Sequence, residues 1–178
     1  MSLTCTGCGK KIETLPLECG YSLNVNSETN EMECFMENCG MISLSEFLCA
    51  NCCTNRNVMK VSKAIEQLSM TNPEYGEELK QFKKNIIQTS FNDSDFNYWI
   101  EFGEGQFKCG KGIKNGASIQ IKCPQGIMNK ILLGETDAIS QFLSGKLKIE
   151  GDIQYAVVYF DLLMLALEIN RENRGELF

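Results

Sequence analysis

The chain has 178 residues, 43% of them apolar, and a formal net charge of −6. That apolar share supports a packed core and excludes general disorder, while the acidic balance argues against a broad phosphate-binding surface and hence against a nucleic-acid partner. Histidine is absent, which removes Ser-His and Cys-His catalytic pairs and leaves cysteine as the main candidate zinc ligand.

The N-terminus, "MSLTCTGCGK", lacks the apolar run of a secretory leader, so a cytoplasmic setting is expected. Eight of the ten cysteines fall between Cys5 and Cys53, and composition changes near "TNRNVMK", residues 54–60. Two modules are therefore expected, a cysteine-rich zinc-binding module over 1–57 and a second domain over 58–178. In the first, "CTGCGK" and "LCANCC" each carry a C-x-x-C pair, a spacing that lets two thiolates grip one tetrahedral ion. Between them "YSLNVNSETNEMECFM" reads as two short strands around a polar turn. Pair, hairpin, pair is the layout of a zinc ribbon or treble-clef finger. The candidate ligands are Cys5, Cys8, Cys34, Cys39, Cys49 and Cys52. Cys5, Cys8, Cys49 and Cys52 make one quartet; Cys34 and Cys39 either replace the second pair or join Cys19 and Cys53 in a second site. A disulfide cluster would need an oxidising compartment, and an iron–sulfur cluster or a redox site at Cys49, Cys52 and Cys53 is the other competing chemistry.

From Val58, "VMKVSKAIEQLSM" and "PEYGEELKQFKKN" have helical spacing, with Pro73 suited to a first turn. The period then becomes two. "NIIQTSF", "FNYWIEF", "QFKCG" and "ASIQIKC" predict four strands in an antiparallel meander, with Cys109 and Cys123 facing inward as small buried hydrophobes. Gly105 to Gly112 resembles a phosphate loop but lacks the final Ser/Thr and the following helix. Asp93, Asp95, Asn97 and Glu104 resemble a calcium loop, but Tyr98 stands where glycine is required. Two short helices follow, one stopping at Gly134, the other capped by Thr136 or Asp137 and stopping at Gly145; "KLKIEGD" is a last strand.

The final helix, "DIQYAVVYFDLLMLALEIN", is apolar from Tyr155 to Leu167 except at Asp161. Six apolar residues on each side of a carboxylate fall short of the roughly 17 to 25 needed to span a bilayer, so no transmembrane segment is expected. Gln154, Asp161 and Glu168 are spaced by seven and form one polar stripe; Asp152 reads as the helix cap. Everything else must leave water. A sheet takes one apolar face, and the other needs a cavity, a homodimer or protein partner, or a solid core.

The run from "WIEFGEGQFKCGKG" to "GETDAISQFLSGKLKIEGDIQYA" and "VVYFDLL" resembles the sterol carrier protein-like lipid-transfer domain, and the similarity covers roughly residues 58–168. It implies an α+β fold, a five-stranded, mostly antiparallel sheet covered by helices. It also implies a non-enzymatic protein that holds a lipid or hydrophobic acyl ligand in an apolar tunnel. The lining residues so implied are Phe102, Ile119, Ile121, Ile131, Phe142, Leu143, Val157, Phe160, Leu163 and Met164. The zinc module would dock a protein partner or steady the fold. The alternative is a non-catalytic accessory subunit of an enzyme complex that uses the same scaffold, with its apolar faces as the protein interface.

Overall fold

The computed structural model describes residues 4–16, 22–25, 32–33 and 48–172. Cys19, Cys34 and Cys39 lie outside them. The chain divides into two compact units, Met1–Arg56 and Asn57–Phe178.

In the first unit, β1 (Thr14–Pro16), β2 (Ser22–Val25) and β3 (Met32–Glu33) form an antiparallel sheet in that order. The β2–β3 pairing, Asn24 with Glu33 and Val25 with Met32, is the hairpin expected between the cysteine pairs. Helix α1 (Ala50–Thr71) starts eight residues before the helix read from the sequence. No Gly or Pro interrupts residues 50–57, so nothing local stops the helix upstream of its apolar stripe.

The second unit is built on that stripe and on a sheet. Val58, Val61, Ile65 and Leu68 recur at helical spacing along α1 and are buried. Helix α2 (Pro73–Lys80) has proline at its first position, and its N-cap Asn72 accepts from the Tyr75 amide at 2.9 Å. There follow β4 (Asn85–Phe91), β5 (Ser94–Gly103), β6 (Gln106–Lys111), β7 (Ile119–Cys123), α3 (Gln125–Leu132), α4 (Ala138–Leu143), β8 (Lys148–Gly151) and α5 (Ile153–Glu172).

The sheet is five-stranded in the order β6-β5-β4-β7-β8, with three antiparallel pairings and one parallel. Alternation sends Ile87 and Thr89 of β4, Tyr98, Ile100 and Phe102 of β5, Phe107 and Cys109 of β6, and Ile119, Ile121 and Cys123 of β7 into the core. One expectation is corrected. β4, β5 and β6 form a meander, but β7 does not continue it; β7 lies beside β4 and parallel to it, from Ile87–Ile119 to Phe91–Cys123. The physical reason lies in the connection, residues 112–118, too long for a tight hairpin. Gln88, buried in β4, anchors it: its side-chain amide donates to the Tyr98 and Gly112 carbonyls, and its oxygen accepts from the Lys114 amide at 2.9 Å. The Ser118 amide then donates to the Ile86 carbonyl at 3.1 Å and starts the parallel pairing.

Helix α5 contains a window of mean hydropathy 1.4 over Ile153–Asn170, long and apolar enough to cross a membrane by composition, and half of that window is buried. Gln154, Asp161 and Glu168 all reach solvent, as the stripe requires. Toward the sheet, Tyr155 and Tyr159 pack on Phe102 with ring centroids 6.3 and 6.1 Å away. Toward α2, the Tyr75 hydroxyl donates to the Leu162 carbonyl at 3.2 Å. These contacts belong to a core helix.

Candidate functional site

Two arrangements carry chemistry. In the first unit the sulfur atoms of Cys5, Cys8, Cys49 and Cys52 all lie within 4.8 Å of one another, and all four are free thiols. Cys8 and Cys49 are 3.8 Å apart, far beyond the ~2.05 Å of a disulfide bond. Burial opposes ionisation of Cys5, but hydrogen bonds from the backbone around Cys49, Cys8 and Gly7 outweigh it and bring the thiol down to about 6. Cys52 moves up, through burial and then through hydrogen bonds within the thiol cluster; Cys49 also moves up, chiefly through burial. Four sulfur ligands this close together suit one tetrahedral cation, so these residues can hold a metal ion. Of the six candidates from the sequence, four are brought together here; Cys34 and Cys39 lie outside the described residues.

The second arrangement is on the face of α5 turned from the sheet. A cavity of about 90 Å³ is lined by Ile131 of α3, Ala138 and Ile139 of α4, Asp137, and Phe160, Asp161, Leu163 and Met164 of α5. Local sequence explains its walls. α3 ends in a Schellman motif: Gly134 at φ 70° closes it, with the Glu135 amide bonded to the Lys130 carbonyl at 2.8 Å. α4 ends the same way at Gly145, φ 74°, with the Lys146 amide bonded to the Gln141 carbonyl at 3.0 Å. Asp137 caps α4, accepting from the Ile139 and Ser140 amides at 2.9 Å each. α3 has no such local cap, because Pro124 occupies the N-cap position. Asp93, 32 residues upstream in the β4–β5 turn, accepts from the Gln125 amide at 3.0 Å instead.

The ten lining residues implied by the resemblance separate accordingly. Ile131, Phe160, Leu163 and Met164 surround the cavity. Phe102, Ile119 and Ile121 lie fully buried on the inner sheet face. Phe142 and Val157 are half-buried, and Leu143 is 79% exposed. Ala138, Ile139, Asp137 and Asp161 are lining residues that the sequence reading missed; the cap at Asp137 was the available signal, since it fixes which residues begin α4. Elsewhere, burial pushes the Cys109 thiol up to about 11 and Cys123 to about 12, so both behave as neutral packing groups.

A mixed five-stranded sheet with helices against its inner face, and an apolar cavity under the last helix, places the second unit in the sterol carrier protein-like fold. Residues 63–164, more than half of the chain, match the model of the SCP-2 sterol transfer family, and the chain belongs to that family. No curated protein matches it. Among solved structures, Sterol Carrier Protein 2 from Yarrowia lipolytica (apo form) is 21% identical, with 60% of this chain and 88% of that one covered and a TM-score of 0.47. The UbiJ-SCP2 ubiquinone synthesis protein is 19% identical, with 60% and 90% covered and a TM-score of 0.44. The inverting sec-alkylsulfatase Pisa1 from Pseudomonas sp. is 16% identical over 49% of this chain, with a TM-score of 0.44, and the chain spans 14% of its length.

Proposed function

We propose that the second unit holds a lipid or hydrophobic acyl ligand between α3, α4 and α5, without catalysing a reaction, and that the first unit binds zinc. The observation that carries the first part is the apolar cavity on the surplus face of α5, in a chain of the SCP-2 family. At about 90 Å³ the cavity admits only the end of a chain, since ligand pockets run to roughly 300–1,000 Å³. A longer ligand enters by displacing α4. That helix has six residues, with Ala138 buried, Phe142 partly buried against the core, and Ile139 and Leu143 exposed, so few of its side chains hold it in place. Each methylene buried contributes about 0.8 kcal/mol, so a long chain is held without polar recognition. For zinc, a tetrahedron with Zn–S bonds of about 2.3 Å has edges of about 3.8 Å, and the Cys8–Cys49 separation is 3.8 Å.

Ala138→Phe tests the ligand reading, because the ring fills the cavity from its wall. Purified variant and parent should match in near-ultraviolet dichroism and zinc content, while the variant loses bound lipid. Equal lipid retention in both would refute the placement. The exposed Leu133, Ile139 and Leu143 favour a second reading, a protein interface on the same surface; it predicts protein that never carries lipid.

A further inference from the structure

We infer that the interior of the second unit contains a hydration site, one ordered water bound between Thr89 of β4, Tyr98 of β5 and Tyr159 of α5. Two hydroxyls carry the inference. Thr89 and Tyr98 stand directly opposite each other on neighbouring strands, both point into the core, and both are fully buried. Among the described residues, neither the Thr89 Oγ1 nor the Tyr98 hydroxyl oxygen meets a hydrogen-bond partner, and they do not bond to each other. Buried hydroxyls are ordinarily bonded, so two orphans on one cross-strand pair point to a small polar guest between them. The surrounding chain has little to offer in its place. β4 is paired with β5 on one side and β7 on the other, and β5 with β4 and β6, so the main-chain groups beside both residues belong to the ladders. Their neighbours on the inner face, Ile87, Phe91, Ile100 and Ile121, are apolar and buried. Tyr159 is the polar neighbour from the helix side. It packs on Phe102, further along β5, and after burial it is the chief influence that raises the Tyr98 phenol. Burial pushes both phenols well up, so the site presents only neutral hydroxyls. An ion would go uncompensated there, whereas a water both donates and accepts and can join three hydroxyls. So placed, it ties α5 to the two strands beneath it.

The test counts long-lived internal waters in the full chain by water-oxygen magnetic relaxation dispersion, with a high-resolution crystal structure of the parent to place them. The parent should hold one more such water than the Thr89→Val, Tyr98→Phe double variant. Its density should lie within hydrogen-bond distance of Thr89 Oγ1 and the Tyr98 hydroxyl. Both substitutions nearly preserve side-chain shape, and far-ultraviolet dichroism should show the variants folded. Urea unfolding gives an independent reading. Each single variant should raise the unfolding equilibrium constant by about fivefold, because the water loses a partner. The double variant should raise it by less than the product of the two single factors, because the water has already lost its seat. If the hydroxyls are truly unbonded, either change leaves stability unaltered or improves it, and that result overturns the inference. An equal count of waters in parent and double variant overturns it too, as does a crystal structure in which Thr89 and Tyr98 bond to each other with no density between them.

Discussion

Glu101 shows how much one residue draws from distant parts of the chain. It faces away from the core on β5, yet is only 7% exposed, because the ammonium groups of Lys84 and Lys114 close on it at 2.8 and 2.5 Å. Burial works against the carboxylate, but the two ion-paired hydrogen bonds outweigh it and hold its pKa below the usual value. The same Lys114 Nζ lies 3.8 Å from the Trp99 ring centre. A depressed folded pKa stabilises the native state above the unfolded value of about 4.3, and that contribution is lost as pH falls through the folded value. Glu101→Gln is therefore expected to cost about 1–2 kcal/mol at neutral pH and to flatten the loss of stability below about pH 4, read from urea unfolding across pH. An unchanged acid slope would contradict it. Beside it, a methyl added at Gly110 would sit 2.5 Å from Cζ2 of Trp99. Gly110→Ala should destabilise by about 1–3 kcal/mol and shift the tryptophan emission. The alternation of β5 shows in the sequence that Trp99 and Glu101 point outward. Their partnership does not show, because Lys114 reaches them only through the crossover loop.

At the scale of elements, legibility follows the range of the stabilising contact. α4 could be bounded in advance because its cap, Asp137, and its stop, Gly145, are adjacent to it in sequence. The exposed stripe of α5 is likewise a matter of spacing. The start of α3 could not be justified in advance, since its cap comes from Asp93 in another element. The position of β7 could not be either, since Gln88 makes the decisive hydrogen bonds and nothing in its own strand pattern reports them. Asp93→Ala should cost about 1 kcal/mol, as loss of an N-cap does, and should speed amide exchange at Gln125. Protection at Gln125 unchanged from the parent would show that the cap contributes nothing. Asp137→Ala should accelerate exchange at Ile139 and Ser140 while leaving β4 and β5 protected, consistent with a small helix that opens by itself.

Across the whole molecule, two units rest on different physics. The first has a small three-stranded sheet and a thiol quartet, and a segment of this size has little core, so metal binding would supply much of its folding energy. Chelation should collapse its backbone signal and leave the near-ultraviolet signal of Trp99 in the second unit intact; Cys8→Ser should do the same. The paired C-x-x-C spacings show in the sequence which thiols are suited to share an ion; that Cys5 and Cys8 meet Cys49 and Cys52 required the fold, because Cys5 and Cys49 are 44 residues apart. In the second unit, the excess apolar surface of α5 was legible from composition alone, whereas the wall that meets it depended on where α4 lands. The most direct measurement is native mass spectrometry of the full chain, purified without added lipid, followed by extraction and analysis of what is released. The account predicts a co-purifying hydrophobic molecule that Ala138→Phe excludes; a parent protein that carries no such molecule, and gains none when offered long-chain alcohols, would contradict it.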